Sequence, residues 1–205
     1  MDNFISILIT TRGNSRELRR TIKSINNQIL FPKEIIIVSN NKIERGLKIN
    51  RKIKLKSFTS SIKNQVHQRN IGIRHLSKKS KIVLQLDDRV VLDKKCILEL
   101  NMCWKRSDKS IVGIGINQKN KIKTTGILDK LMKNNKSMGK VFSNGVNFNY
   151  LNLTKNLEVM WLKGGLSSWD LKKNKRIKNR KFPLWNWCVN EDVDFSLGKK
   201  KMKNL

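Results

Sequence analysis

Alanine is missing altogether from this 205-residue chain, while asparagine occurs 24 times and isoleucine 23 times. AT-rich coding would produce that bias and would also favour lysine over arginine. Part of the formal net charge of +30 is therefore compositional drift, and the rest favours anionic partners such as nucleotide diphosphates or lipid phosphates. Only two prolines occur, with no Ser/Gly-rich linker and no internal repeat, so nothing divides the chain and one domain with a sizeable core is expected. Cys96, Cys103 and Cys188 are odd in number and lack metal-site spacing; with only His67 and His75 to help, neither a disulfide framework nor a zinc site follows. Cys96 and Cys103 fall on one apolar stripe, which reads as core packing in a reducing cytosol. No apolar run is long enough to cross a bilayer, and the N-terminus lacks the basic region and cleavage site of a secretory signal.

What is present is an alternation of strand and helix patterns. Phe4 to Thr10 and Glu34 to Val38 are continuous apolar runs suited to buried strands, and Ser15 can cap a helix carrying Leu18, Ile22 and Ile25 on one face. Ile53 and Leu55 alternate with lysines in a half-exposed strand, and Val66, Ile71, Ile73 and Leu76 give a less regular helix. A third apolar run, Ile82 to Leu86, stops at two adjacent carboxylates, Asp87 and Asp88. Cys96, Leu100, Cys103 and Trp104 mark a further helix, and Ile111 to Ile116 returns to a strand. This alternation predicts an α/β fold with a mostly parallel sheet. Further on, Leu157 to Leu162 reads as a strand broken by Gly164 and Gly165. A last helix is expected near Asn190, with Glu191, Asp192 and Asp194 in its first turn, where acids complement the helix dipole. The basic run Lys172 to Lys181 reads as a solvated loop, and core packing is expected for at least two of Trp161, Trp169, Trp185 and Trp187.

Two acids at the carboxyl end of a parallel strand stand where such sheets bind ligands, and together they can hold a divalent cation and through it a diphosphate. An acidic turn is the plain alternative for either alone. Their company weighs more. Ile5 to Asn14, the helix after it and Glu34 to Val38 resemble the opening of family 2 glycosyltransferases. Gln68-Arg69-Asn70-Ile71-Gly72, followed by the strand and Asp87-Asp88, is similar to that family's Arg-Asn-x-Gly and acidic metal motifs. Trp161 to Gly165, with Asn190 to Phe195, resembles its acceptor-side Gly-Gly and Glu-Asp elements.

The resemblance implies a GT-A fold, a Rossmann-like sheet flanked by helices in a single domain, with a nucleotide-binding half at about 1–117 and an acceptor-side half at about 118–205. It implies inverting transfer of a sugar from a nucleotide-diphosphate donor to a glycan or lipid-linked acceptor, in glycan or cell-surface polysaccharide synthesis. It assigns the cation, Mn or Mg, to Asp88 with Asp87, and the base to Asp192 with Glu191 beside it. Thr10, Arg12, Asn40 and Arg69 would line the donor pocket, and Gly164 and Gly165 would let the backbone approach the sugar or diphosphate. The pattern also departs from the family. Asn40 stands where an acid is usual, and Arg89 replaces a third acid, which would lend its own charge to the diphosphate and lessen dependence on the cation. The chain ends soon after Asp192, at Lys199 to Leu205, so it is either minimal or truncated at the C-terminus. The basic surface fits cytoplasmic work with peripheral contact at the anionic inner face of a membrane.

Two other classes compete. A catalytically degenerate relative would bind nucleotide or glycan without turnover, as the departures favour. A polyanion-binding protein would use the charge on nucleic acid, but no basic-aromatic recognition motif is present and nucleic acid is not the expected partner. A nucleotidyltransferase would want a Gly-rich loop near the N-terminus, and Thr10 to Asn14 is too poor in glycine.

Overall fold

The computed structural model describes residues 3–13, 15–43, 46–118, 139–141, 157–174, 191–196 and 202–204, with the backbone alone at 191, 194 and 202–204. Cys188, Trp185, Trp187, Asn190 and most of the basic run after Asn174 lie outside the described residues. In chain order the elements are β1 (Ile5–Thr11), α1 (Arg16–Asn26), β2 (Glu34–Ser39), β3 (Lys54–Thr59), α2 (Gln65–Arg74), β4 (Ile82–Asp87), α3 (Cys96–Arg106), β5 (Gly113–Gly115), β6 (Leu157–Val159), β7 (Leu166–Asp170), α4 (Glu191–Ser196) and β8 (Met202–Asn204).

The apolar runs become the buried strands they predict. All seven residues of β1 and all six of β2 are buried, the condition of strands covered on both faces. Successive side chains point to opposite sides. Thus Ile5, Ile7, Ile9, Ile35, Ile37, Leu84 and Leu86 face one layer with Leu18, Ile22 and Ile25 of α1 and Ile97, Leu100 and Trp104 of α3. Leu8, Ile36, Val38 and Val83 face the other layer with Ile73 of α2, Trp161, Leu162, Trp169 and Val193 of α4. Burying each large aliphatic side chain contributes roughly 1.5–3 kcal/mol, so the two layers carry most of the stability. Trp161 and Trp169 are both core residues, as composition led us to expect. Cys96 and Cys103 pack half-buried against the first layer. Burial, with help from Glu99 and Asp93, pushes the Cys96 thiol up to about 12.

The eight strands lie in the order β3-β2-β1-β4-β7-β5-β8-β6. The first four are mutually parallel, β7 runs against β4 and β5, β8 is parallel to β5, and β6 opposes β8. The sheet is mostly parallel, as expected, but β7 was not legible in the sequence. The two later strands are also shorter than their apolar runs: Ile111 to Ile116 contributes only β5, and Leu157 to Leu162 only β6. Because β2 and β4 flank β1 on opposite sides, chain progression reverses beside β1. The crevice at such a reversal opens at the carboxyl ends of the strands. In register there, Thr10 of β1 stands opposite Asp87 of β4.

Candidate active site

Three pieces of chain converge on the ends of β1 and β4. The first is the start of α2, where Asn64 caps the helix by accepting from the His67 amide at 3.0 Å. Gln65, Gln68 and Arg69 then fall on neighbouring positions of one helix face. Gln65 Nε2 reaches Asp87 Oδ1 at 2.9 Å and Thr10 Oγ1 at 3.3 Å. Gln68 Nε2 donates to the Thr11 carbonyl at 2.9 Å and to Asn40 Oδ1 at 3.0 Å, joining the ends of β1 and β2. The Arg69 side chain is 3% exposed, with Nη2 3.8 Å from Asp87 Oδ1. Gly72 lets this helix lie so close, since a Cβ there would sit 2.1 Å from Leu8 Cδ1. Here the Arg-Asn-x-Gly spacing has a mechanical meaning: the glycine seats the helix, and the seat aims the guanidinium.

The second piece is the turn after β4. Asp88 Oδ2 accepts from Thr11 Oγ1 at 2.5 Å, and its carbonyl accepts from Thr21 Oγ1 of α1 at 2.9 Å. Asp87 and Asp88 are half-buried, and Arg89 beyond them is exposed.

The third piece is the segment before β7. The Gly165 carbonyl accepts from the Asp87 amide at 2.9 Å, and a Cβ on Gly165 would meet Asp87 Oδ2 at 2.1 Å. A Cβ on Gly164 would stand 3.0 Å from the Arg69 guanidinium and 3.2 Å from Asp192 Cβ. The Gly164 amide donates to Asp192 Oδ2 at 3.1 Å, and the Val193 amide donates to Asp192 Oδ1 at 3.0 Å. Next to them, burial pulls the Lys163 ammonium down to about 8 against the opposing attraction of Asp192.

Of the residues expected from sequence, Arg69, Asp87, Gly164, Gly165 and Asp192 are therefore linked by direct contacts, Thr10 joins them through Gln65 and the strand register, and Asp88 stands beside them. Asn40 joins through Gln68, but its amide is already engaged: Nδ2 donates to the Ile62 carbonyl at 2.7 Å. Arg12 and Arg89 are exposed at the rim, and the side chain of Glu191 lies outside the described residues. Sequence reasoning missed Gln65, Gln68, Thr11 and Lys163. Thr11, Gln68 and Lys163 stood inside the quoted motifs, and only their contacts in the fold reveal a role.

Among the described residues no three His, Cys, Asp or Glu side chains gather as a metal cluster. The adjacent carboxylates still fit a hard divalent cation, because such ions take one or two carboxylates and complete their shell with phosphate oxygens and water.

The sequence of residues 6–162 matches the family described as Glycosyl transferase family 2. Solved structures share the fold. TarS 1-349 of S. aureus in complex with UDP is 17% identical with a TM-score of 0.62, covering 98% of this chain and 57% of that one. Mannosyltransferase PcManGT from Pyrobaculum calidifontis, in complex with GDP-Man and Mn2+, is 12% identical with a TM-score of 0.59, covering 94% of this chain and 50% of that one. The 4-diphosphocytidyl-2C-methyl-D-erythritol synthase from Anaerococcus prevotii is 14% identical with a TM-score of 0.52, covering 99% and 86%. This chain thus spans about half of the PcManGT chain and just over half of the TarS 1-349 chain. No curated protein sequence matches it.

Proposed function

The chain belongs to glycosyltransferase family 2 and has its GT-A fold, and from that premise we propose that it moves a sugar from a nucleotide-diphosphate donor to an acceptor hydroxyl with inversion at the anomeric carbon. The observation that carries the reading is the contact set of Gly164 and Gly165. Two consecutive glycines touch Asp87 and Arg69 on one side and Asp192 on the other, so a donor-side acid and a candidate base meet across one short stretch of backbone.

The chemistry divides accordingly. Asp192, held by two backbone amides, accepts the proton of the acceptor hydroxyl as its oxygen attacks the anomeric carbon. The bond from that carbon to the donor diphosphate breaks on the opposite face, and the diphosphate leaves with the electron pair. Asp88 with Asp87 would hold a divalent cation, Mn2+ or Mg2+, whose charge offsets that of the departing group. Arg69, buried against Asp87, fixes the orientation of that carboxylate and adds positive charge beneath the site. Lys163 and the exposed Arg89 add further cationic groups for the diphosphate. A role in glycan or cell-surface polysaccharide synthesis, on a glycan or lipid-linked acceptor, is part of the same proposal, as is the division into a nucleotide-binding half and an acceptor-side half.

Melting temperature with UDP, dTDP, GDP and CDP, each with and without manganese, tests the donor site in wild type and Asp88→Asn, since a ligand of the folded state raises it. The expected result is a metal-dependent rise for one nucleotide that Asp88→Asn abolishes. A metal-independent rise would transfer the cation's task to Arg89. No rise with any nucleotide would sink the donor-site reading. A second reading, binding without turnover, is favoured by Asn40, which stands at an acidic position with its amide already hydrogen-bonded. Release of nucleotide diphosphate from the matching sugar donor decides between the two.

A further inference from the structure

Residues 88–97 lie as a strap along α1. From the helix Thr21 Oγ1 donates to the Asp88 carbonyl at 2.9 Å, and from the turn just after it Gln28 Nε2 donates to the Asp93 carbonyl at 2.7 Å and the Ile29 amide to the Lys94 carbonyl at 3.0 Å. From the strap, the Leu92 amide donates to Ser24 Oγ and the Ile97 amide to Gln28 Oε1, both at 3.0 Å. Leu18, Ile22, Ile25 and Leu92 are buried beneath, so helix and strap turn one joint surface to solvent.

That surface has two unusual properties. It is strongly basic: α1 exposes Arg16, Arg19, Arg20 and Lys23 there, the strap exposes Arg89, Lys94 and Lys95, and they are opposed by Glu17, Asp93 and the half-buried Asp88. The same stretch also carries Val91 and Ile29, which are 65% and 58% exposed, the two most exposed large hydrophobic side chains among the described residues. The fold gains nothing from leaving either in water. Basic side chains around protruding aliphatic ones suit an anionic lipid surface, where the cations meet phosphates and the aliphatic groups enter the headgroup boundary. A single-stranded nucleic acid would instead favour aromatic platforms, and neither α1 nor the strap exposes an aromatic side chain.

We propose that the outer surface of α1 and the 88–97 strap docks the protein on an anionic bilayer, with Val91 and Ile29 as the inserting residues. The surface begins at Asp88, so docking sets the candidate donor site beside the membrane plane. Docking itself needs no sugar donor, and its test is independent of whether the protein transfers sugar.

Sedimentation with vesicles of phosphatidylcholine and phosphatidylglycerol, against phosphatidylcholine alone, reads the binding directly. Each basic side chain near such a surface contributes about fivefold in partition, so Arg20→Glu with Lys94→Glu lowers binding by roughly a hundredfold or more. The charge-matched pair Arg74→Glu with Lys78→Glu, exposed at the end of α2, lowers it by only about threefold. Ile29→Ser with Val91→Ser abolishes the binding that persists at high salt, with the melting temperature unchanged. Absence of binding to anionic vesicles, equal losses from the two charge pairs, or full high-salt binding by the serine pair would each overturn the proposal.

Discussion

One methyl group separates Gly165 from alanine, and that methyl would sit 2.1 Å from Asp87 Oδ2. The carboxylate must move, because the backbone of Gly165 is pinned by its carbonyl bond to the Asp87 amide. Gly165→Ala is expected to lower kcat/KM by about a hundredfold, the effect of a displacement near 1 Å at a reacting centre. It costs only about 1–3 kcal/mol in stability, as overpacking does; steady-state kinetics and denaturant melts separate the two effects. Lys163 makes a prediction of a different kind. Its ammonium titrates at about 8 in the folded chain against an ordinary 10.5, so between those values the unfolded chain binds more protons. Stability should therefore rise as pH climbs from about 8 towards 10.5, and Lys163→Met should flatten that rise in melts across the range. Neither Gly165's packing nor the burial of Lys163 is written in residue type. The sequence motif marks the glycine, and only the fold supplies the carboxylate it accommodates.

At the scale of elements, Glu34 ties three strands and the turn before β4 together at the end of the sheet opposite the site. Fully buried at the start of β2, it accepts from Ser6 of β1 at 3.2 Å, from Ser80 at 3.1 Å and from the Ser77 amide at 2.6 Å, and pairs with Lys56 of β3 at 2.7 Å. Burial pushes the carboxyl up, but Lys56, the Ser77 amide and Ser80 together outweigh it, and the net shift is below the usual 4.5. The stability this contributes is present above about 4.5 and lost as pH falls below it. Glu34→Gln should cost about 2–3 kcal/mol at neutral pH and weaken the acid dependence of a urea melt. The helices differ in how readable they are. In α1 the apolar stripe and the Ser15 cap appear as the periodicity predicts, with Ser15 Oγ accepting from the Leu18 amide at 3.0 Å. In α2 the inward face carries Gln68, Arg69 and Asn70 where it meets polar strand ends, and Ile73 enters the core only further along, so its apolar pattern is weak.

For the whole molecule, a charge of +30 means self-repulsion at every separation within a Debye length. Melting temperature should rise when sodium chloride is raised from about 0.02 to 0.3 M, as screening relieves that repulsion; a fall would mean that attractive ion pairs dominate. In the parallel half of the sheet β1, β2 and β4 were legible because they are continuous apolar runs covered on both faces, and the half-exposed β3 through its alternation with lysines. β7 was not. Ser167 and Ser168 look like loop residues, yet they are fully buried and accept from the indole N–H groups of Trp169 and Trp104 at 3.0 Å each. Nor could any local pattern reveal that β7 inserts between β4 and β5, since that pairing joins segments far apart in the chain. The insertion has a consequence in time. On the ribosome, β1 to β4 emerge first and can assemble into a parallel sheet, but the outer edge of β4 stays open until Leu166–Asp170 has been made. At elongation rates of roughly 5–20 residues per second, that leaves the acid-bearing strand without a neighbour for several seconds. The site is thus completed only once β7 has followed β4 out of the ribosome, and for that interval the nascent chain presents an unguarded strand that a chaperone would have reason to cover.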